Sequence, residues 1–142
     1  MKNINFLYKT FNSIDKGNEK KWSKLFFISL IKQESTICLF AKPEPRGCLI
    51  ARLLKDEIEI LSLLIDVSYR RIGLAKNLLE DLKEIAFKKQ IFKIILEVSV
   101  SNKGAIALYK KTGFVEVAIR KNYYVRKNKK VDAKVMCFKL HA

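Results

Sequence analysis

Leu61-Ser62-Leu63-Leu64-Ile65-Asp66-Val67-Ser68-Tyr69-Arg70-Arg71-Ile72-Gly73-Leu74-Ala75-Lys76 decides how this chain folds. An apolar run with the composition of a strand passes through a turn holding two arginines and a glycine, and a helix pattern follows. In that pattern Ala75, Leu78, Leu79, Leu82, Ile85, Ala86 and Lys89 share one face, while Lys76, Asn77, Glu80, Asp81, Lys83, Glu84 and Lys88 take the other. The first turn of a helix has backbone N–H groups without intrahelical partners, and the helix dipole makes that end partly positive. A phosphate placed there collects several N–H bonds at once. Gly73 lets the main chain approach it, since a Cβ would stand in the way, and Ala75 leaves almost as much room. Arg70, Arg71 and Lys76 add full positive charge. No GxxxxGK[ST] is present and no GxGxxG follows a strand. On its own the segment reads either as a phosphate cradle or as a basic turn whose glycine eases a chain reversal.

Upstream, Trp22 to Ile31 has helical spacing through Trp22, Leu25, Phe26, Ser29 and Leu30. Thr36 to Ala41 reads as a strand, and Lys42-Pro43-Glu44-Pro45-Arg46-Gly47 as a turn. Cys48 to Leu54 and Glu57 to Val67 form a hairpin about Lys55-Asp56. Downstream, Phe92, Ile94, Leu96, Val98 and Val100 alternate with Lys93, Ile95, Glu97 and Ser99, the period of a strand. Ser101 or Asn102 caps a helix that runs to about Thr112 and closes at Gly113. Phe114 to Arg120 and Asp132 to Leu140 read as two last strands around a basic loop. With no repeat or linker in the sequence, residues 1–142 read as one α/β or α+β domain with a mixed sheet.

Composition sets outer limits. The chain of 142 residues is 49% hydrophobic and 30% charged, as expected of a folded soluble domain able to bury a core. Leu25 to Ile31, its longest apolar run, is far short of the ~20 residues that span a bilayer. Met1-Lys2-Asn3-Ile4-Asn5 lacks the features of a signal peptide, so a cytoplasmic protein without membrane attachment is expected. Cys38, Cys48 and Cys137 form no CxxC pair and have only His141 to join them, which argues against a metal site and against a disulfide framework. The formal net charge of +15 favours polyanionic partners: nucleic acid, the ribosome or a phosphorylated cofactor. A lysine-rich surface with no such partner reads equally well.

Arg70-Arg71-Ile72-Gly73-Leu74-Ala75 resembles the [QR]-x-x-G-x-[GA] signature of the GNAT acetyltransferases, which cradles the coenzyme A pyrophosphate. Leu61 to Asp66 resembles that family's fourth strand, whose bulged end bonds the pantetheine arm. Leu96-Glu97-Val98, Ser101-Asn102 and Ala105-Ile106-Ala107-Leu108-Tyr109-Lys110-Lys111-Thr112-Gly113-Phe114 are similar to the RimI branch, the ribosomal-protein N-terminal alanine acetyltransferases. Arg120 to Tyr124 and Asp132 to Met136 continue the likeness, which covers about half the chain. It implies a single mixed, mostly antiparallel twisted sheet of about six to seven strands with about four helices, splayed between the fourth and fifth strands. It implies acetyl-CoA as co-substrate, held by Leu63, Leu64, Ile65, Arg70, Arg71, Ile72, Gly73, Leu74, Ala75, Lys76 and Asn102. Departures from the branch pattern are Lys21 in place of proline, Arg70 in place of Gln and Ala75 in place of a second Gly.

Acetyl transfer from a thioester to an amine makes two proton demands: the amine must lose one, and the thiolate leaves better as a thiol. The resemblance gives Glu97 the role of base and Tyr109 that of acid, with Glu59 as a fallback base. Without it, Glu97 reads as a solvent-facing or Lys93-paired carboxylate, and Tyr109 as packing between helix and sheet. Trp22, Tyr123 and Tyr124 fall where the family binds its amine substrate; the two tyrosines alternatively brace a hairpin. The expected acceptor is a protein N-terminus, that of a ribosomal protein, met by a monomer or weak dimer. A +15 enzyme repels a basic ribosomal protein, so either acidic residues such as Glu57, Glu59 and Glu97 offset the charge locally or the substrate is presented on RNA. The alternatives are another amine (a lysine side chain, a polyamine, an aminoglycoside) and a non-catalytic RNA- or ribosome-binding module using Lys121, Arg126, Lys127, Lys129 and Lys130.

Overall fold

The structure, a computed structural model, describes residues 4–14, 22–43, 45–126 and 128–141, with the main chain alone at Val125 and Arg126. Residues 1–3, Lys21, Glu44 and Lys127, which all enter the sequence reading, lie outside the described residues, as does the side chain of Arg126. Two helices open the chain, α1 (Ile4–Ile14) and α2 (Lys24–Ile31). Strands β1 (Thr36–Phe40), β2 (Gly47–Leu53) and β3 (Ile58–Ile65) follow as a meander. A 3-10 turn (Val67–Tyr69) leads to helix α3 (Leu74–Lys88), strand β4 (Lys93–Ser99) and helix α4 (Lys103–Lys111). The hairpin β5 (Val115–Arg126) and β6 (Lys129–Lys139) closes the fold.

The six described strands form one sheet in the order β1-β2-β3-β4-β6-β5. Every neighbouring pair is antiparallel except β3 and β4, which are joined by the crossover helix α3. This is the mixed, mostly antiparallel α/β sheet expected from the sequence. The splay falls between β3 and β4 because no strand among the described residues precedes α1, which shifts the count by one from the family's fourth and fifth.

The sequence reading placed no helix before Trp22. Leu7, Phe11 and Ile14 nonetheless recur at helical spacing, and Phe11 and Ile14 are buried. Helix α2 starts later than expected because the Ser23 side chain accepts from Phe26 N at 3.1 Å, a cap that leaves Trp22 outside the helix. The basic loop expected between the last two strands is instead mostly strand. The β5–β6 ladder continues to Arg126 opposite Lys129, and Asn128 takes a left-handed φ of 65° in the turn.

The sheet is covered on both faces. Leu78, Leu79, Leu82 and Ala86 of α3 pack with Ile106 and Tyr109 of α4 against Ile58, Ile60, Ile94, Leu96 and Met136. On the opposite face Phe11 and Ile14 of α1 and Phe27 and Leu30 of α2 pack against Cys48 and Ile50. Helix α4 ends where Gly113 adopts φ 100°, and a Cβ there would lie 2.8 Å from Phe138 Cε2. Gly113→Ala combines the left-handed penalty of about 1–2 kcal/mol with that clash. It is expected to lower the urea midpoint by at least this energy with the m-value unchanged; an unshifted midpoint would show that the turn and Phe138 give way freely.

Candidate functional site

The site forms where the sheet comes apart. Strands β3 and β4 share only the pairs Ile58–Ile94, Glu59–Ile95 and Ile60–Leu96. The β2–β3 register then shifts: Ala51 faces Ile60 while Ile50 faces Ser62, so Leu61 is an extra residue in β3. Such a bulge bends and twists its strand. It also changes which residues point inward, because Ile58 and Ile60 share the α3-side core with Leu63 and Ile65, an even-to-odd switch across Leu61. Beyond the bulge Ser62 to Ile65 keep a ladder only with β2, and Glu97 to Ser99 only with β6. The gap between them is the cleft.

At the end of β3 the turn is drawn tight. Arg70 Nε donates to Ile65 O at 3.1 Å, and the Asp66 carboxylate accepts from Ser68 N at 3.0 Å. Arg46 lies 3.5 Å from Asp66, and Asp66 N donates to Arg46 O. Arg71 and Gly73 both adopt left-handed φ values, 65° and 87°, immediately before α3. Left-handed residues at such a turn direct successive N–H groups into one concavity, an anion-binding arrangement that adds to the helix end behind it. Nothing lies within 4 Å of a Cβ built on Gly73, so its flank is open on the outside. Arg70, Arg71, Ile72 and Lys76 are exposed around it, and Leu74 and Ala75 are half-buried. Asn102 caps α4 by accepting from Ala105 N at 3.2 Å, and its exposed position follows β4 directly across the cleft from β3.

On the other side, Glu97 projects from β4 opposite to the buried Leu96 and Val98. Arg120 donates to its carboxylate at 2.6 Å. The Tyr123 phenol also bonds Glu97; burial first, and then this bond, hold its pKa above the ordinary value. Arg120 stacks over the Tyr123 ring at 4.3 Å. Tyr124 meets Tyr123 edge to face with centroids 5.0 Å apart. Burial, with the fields of Tyr123 and Glu97, pushes its pKa up to about 12. Tyr109 of α4 is buried against Phe114 and feels Tyr124; burial holds its pKa well above the usual phenol range. The three tyrosines thus run from Glu97 into the core below the cleft.

Trp22 stacks on Phe11 with centroids 5.3 Å apart, and with Phe26, Leu61 and Tyr123 it lines a groove of about 330 Å³. Trp22 and Tyr123 therefore share one groove, while Tyr124 lies deeper, within the field of Tyr109. Glu97 is not paired with Lys93, which lies 3.5 Å from Glu57. Glu59, the fallback base, is held by Arg52 at 2.7 Å. Glu57, Glu59 and Glu97 each carry a cation partner and so form no acidic patch.

Sequence reasoning missed Arg120 and Arg52 as site residues. Arg120 meets Glu97 only because β6 lies between β4 and β5, and because the β5 register slips between Arg120 and Tyr124. Neither fact is visible in local spacing. Among the described residues no cluster of His, Cys, Asp and Glu could hold a metal, and no helix is long and apolar enough to cross a membrane.

The same architecture occurs in known proteins. The model of the Acetyltransferase (GNAT) family matches residues 4–114. The ribosomal protein bS18-alanine N-acetyltransferase of Escherichia coli K12 is 39% identical over 87 residues, 61% of this chain and 59% of that protein. Its Salmonella typhimurium counterpart is 34% identical over 116 residues, 81% of this chain and 78% of that protein. The crystal structure of the Escherichia coli ribosomal-protein-S18-alanine N-acetyltransferase superposes with a TM-score of 0.87 at 29% identity, covering 99% of this chain and 92% of that one. With the family model matched over most of its length and the splayed sheet shared across nearly all of it, this chain belongs to the GNAT acetyltransferase family.

Proposed function

We propose that this chain transfers the acetyl group of acetyl-CoA to the α-amine of a protein N-terminus, specifically the N-terminal alanine of a ribosomal protein in the cytoplasm. The observation that carries this reading is Glu97, held by two donors at the mouth of the splay and beside an aromatic groove that Tyr123 lines. The names and extents of the bacterial relatives support the choice of acceptor.

The residues present suit coenzyme A. The open flank of Gly73, the left-handed Arg71 and the first turn of α3 offer N–H groups to a pyrophosphate, with Arg70, Arg71 and Lys76 as counter-charges. The main chain of Leu63, Leu64 and Ile65, paired on its β2 side alone, has its other edge available for an amide-bearing arm. Asn102 contributes from the far lip. When bound, acetyl-CoA supplies a thioester-activated acetyl group.

The chain's own residues then meet the proton demands. The acceptor enters along the Trp22 and Tyr123 groove as an ammonium, which competes with Arg120 for the Glu97 carboxylate. Glu97 takes one proton, and the freed nitrogen attacks the acetyl carbon within a ternary complex. The C–S bond breaks and Tyr109 gives its proton to sulfur. Burial keeps that phenol protonated throughout the neutral range. Between ammonium and amide the nitrogen gives up two protons. Glu97 takes the first, and the second, lost as the amide forms, replaces the proton that Tyr109 gave to sulfur, so Glu97 has one proton left to release to solvent.

Calorimetric titration with acetyl-CoA is expected to show low-micromolar binding, weakened at least tenfold by Arg71→Glu; a folded wild-type protein that binds none would remove the acetyltransferase reading. With an alanine-starting ribosomal-protein peptide, Glu97→Gln and Tyr109→Phe should each lower kcat by about 10²-fold or more while leaving acetyl-CoA affinity intact. Because its phenol is shifted upward, Tyr109 should contribute no alkaline decline below about pH 10, and the Tyr109→Phe deficit should stay constant from pH 6 to 9. Acetylation of small amines but of no peptide N-terminus would overturn the choice of acceptor.

A further inference from the structure

At the end of the sheet away from the cleft, three turns meet: β2 to β3, α3 to β4, and the segment after β6. They enclose an open groove of about 810 Å³. Its walls are fixed by main-chain bonds. Leu54 N donates to Glu57 O at 2.8 Å, Gln90 N to Phe87 O at 3.0 Å, and Leu140 N to Phe92 O at 2.8 Å. Lys55, Lys89, Lys93 and Lys139 line it, with Asp56 as the single acidic lining residue. Lys93 is paired with Glu57, whereas Lys55, Lys89 and Lys139 make no ion pair among the described residues.

One lining residue is aromatic and partly exposed. Phe92 stands in this basic groove with 39% of its surface exposed, although Ile91 beside it and Ile94 just beyond are buried. A ring exposed among cations presents a face that a nucleobase can cover. A cationic groove with an accessible ring is the composition that holds a single-stranded nucleic acid, in which lysines follow the phosphates and a base stacks on the ring. A small anion would use the lysines and leave the ring idle.

We propose that this groove binds a single strand of RNA, with Lys55, Lys89, Lys93 and Lys139 on its phosphates and Phe92 stacked on a base. The site is separate from the acetyl-transfer cleft. Lys93 and Glu97 are four residues apart on β4, about 13 Å at 3.3 Å per residue, and the turn after Ile65 lies at the opposite end of β3. An RNA strand held here leaves the cleft open. It also gives part of the +15 charge a use outside the cleft.

The test is fluorescence anisotropy of a labelled 12-nucleotide oligouridylate with the full chain over a salt series. Lys89→Gln with Lys139→Gln should reduce the slope of log affinity against log salt by about 1.4, at about 0.7 per phosphate contact. Phe92→Leu, which keeps an apolar side chain and all main-chain bonds, should weaken binding about 5- to 100-fold without changing that slope. Lys129→Gln with Lys130→Gln, at the exposed hairpin tip, should change affinity by less than about threefold. The proposal is overturned by no binding at low salt, by a tip variant as weak as the groove variant, or by a Phe92→Leu variant that binds like wild type. Peptide acetylation by Phe92→Leu should match wild type, so failure here and failure of the acetyltransferase reading remain distinguishable.

Discussion

One inserted residue governs the rest of this molecule. Leu61 has no counterpart on β2, and from that point β3 can no longer follow β4. Two parallel strands normally gain hydrogen bonds by staying together, so separating them after three pairs forfeits several. What is obtained in exchange is a strand edge with unpaired main-chain groups, reachable from outside, in the middle of a sheet rather than at its rim. Helix α3 then fixes the width of the gap. Its Leu78, Leu79 and Leu82 are clamped to the sheet on the closed side, while its first turn faces the open side. On the proposed function the donor is therefore met largely by backbone, with Gly73 and Arg71 at left-handed φ and the Arg70, Arg71 and Lys76 charges around it.

The acceptor half is made of side chains. Glu97, Arg120 and Tyr123 form a linked set on two strands with a third strand between them. Tyr124 and Tyr109 extend it inward, each held protonated chiefly by burial. The charge of Glu97 is felt at Tyr123 and Tyr124. Polar groups are thus graded by depth: the Glu97 carboxylate near solvent, and phenols held protonated by burial towards the core.

Much of the fold was legible because it is periodic. The even-numbered burial of Ile94, Leu96 and Val98, the stripe Leu78, Leu79, Leu82 and Ala86, and the Asn102 and Gly113 brackets around α4 are all local patterns. The turn from Asp66 to Gly73 was legible through residue types that suit an anion. Helix α1 was missed even though Leu7, Phe11 and Ile14 mark it, since its short pattern stands next to a polar stretch. The length of the β5–β6 hairpin was missed because a lysine-rich strand edge has the composition of a loop. Arg52 lies directly opposite Glu59 in the hairpin about Lys55-Asp56 and was legible though passed over, whereas the partners of Glu97 and Glu57 could not be read from local spacing. They depend on strand order and register shifts, which no single segment encodes.

The two halves of the cleft come from different stretches of chain, and this bears on how the family diversifies. On the proposed function the donor is met by residues 61–76 together with Asn102, largely through backbone shape. The groove facing the acceptor is assembled from the approach to α2 and the slipped segment of β5 between Arg120 and Tyr124. That segment carries extra residues opposite β6, and insertions or deletions there re-aim side chains without disturbing the β4–β6 ladder. On the proposed function, the slipped segment can therefore change which amine fits while the groups meeting the donor stay where they are.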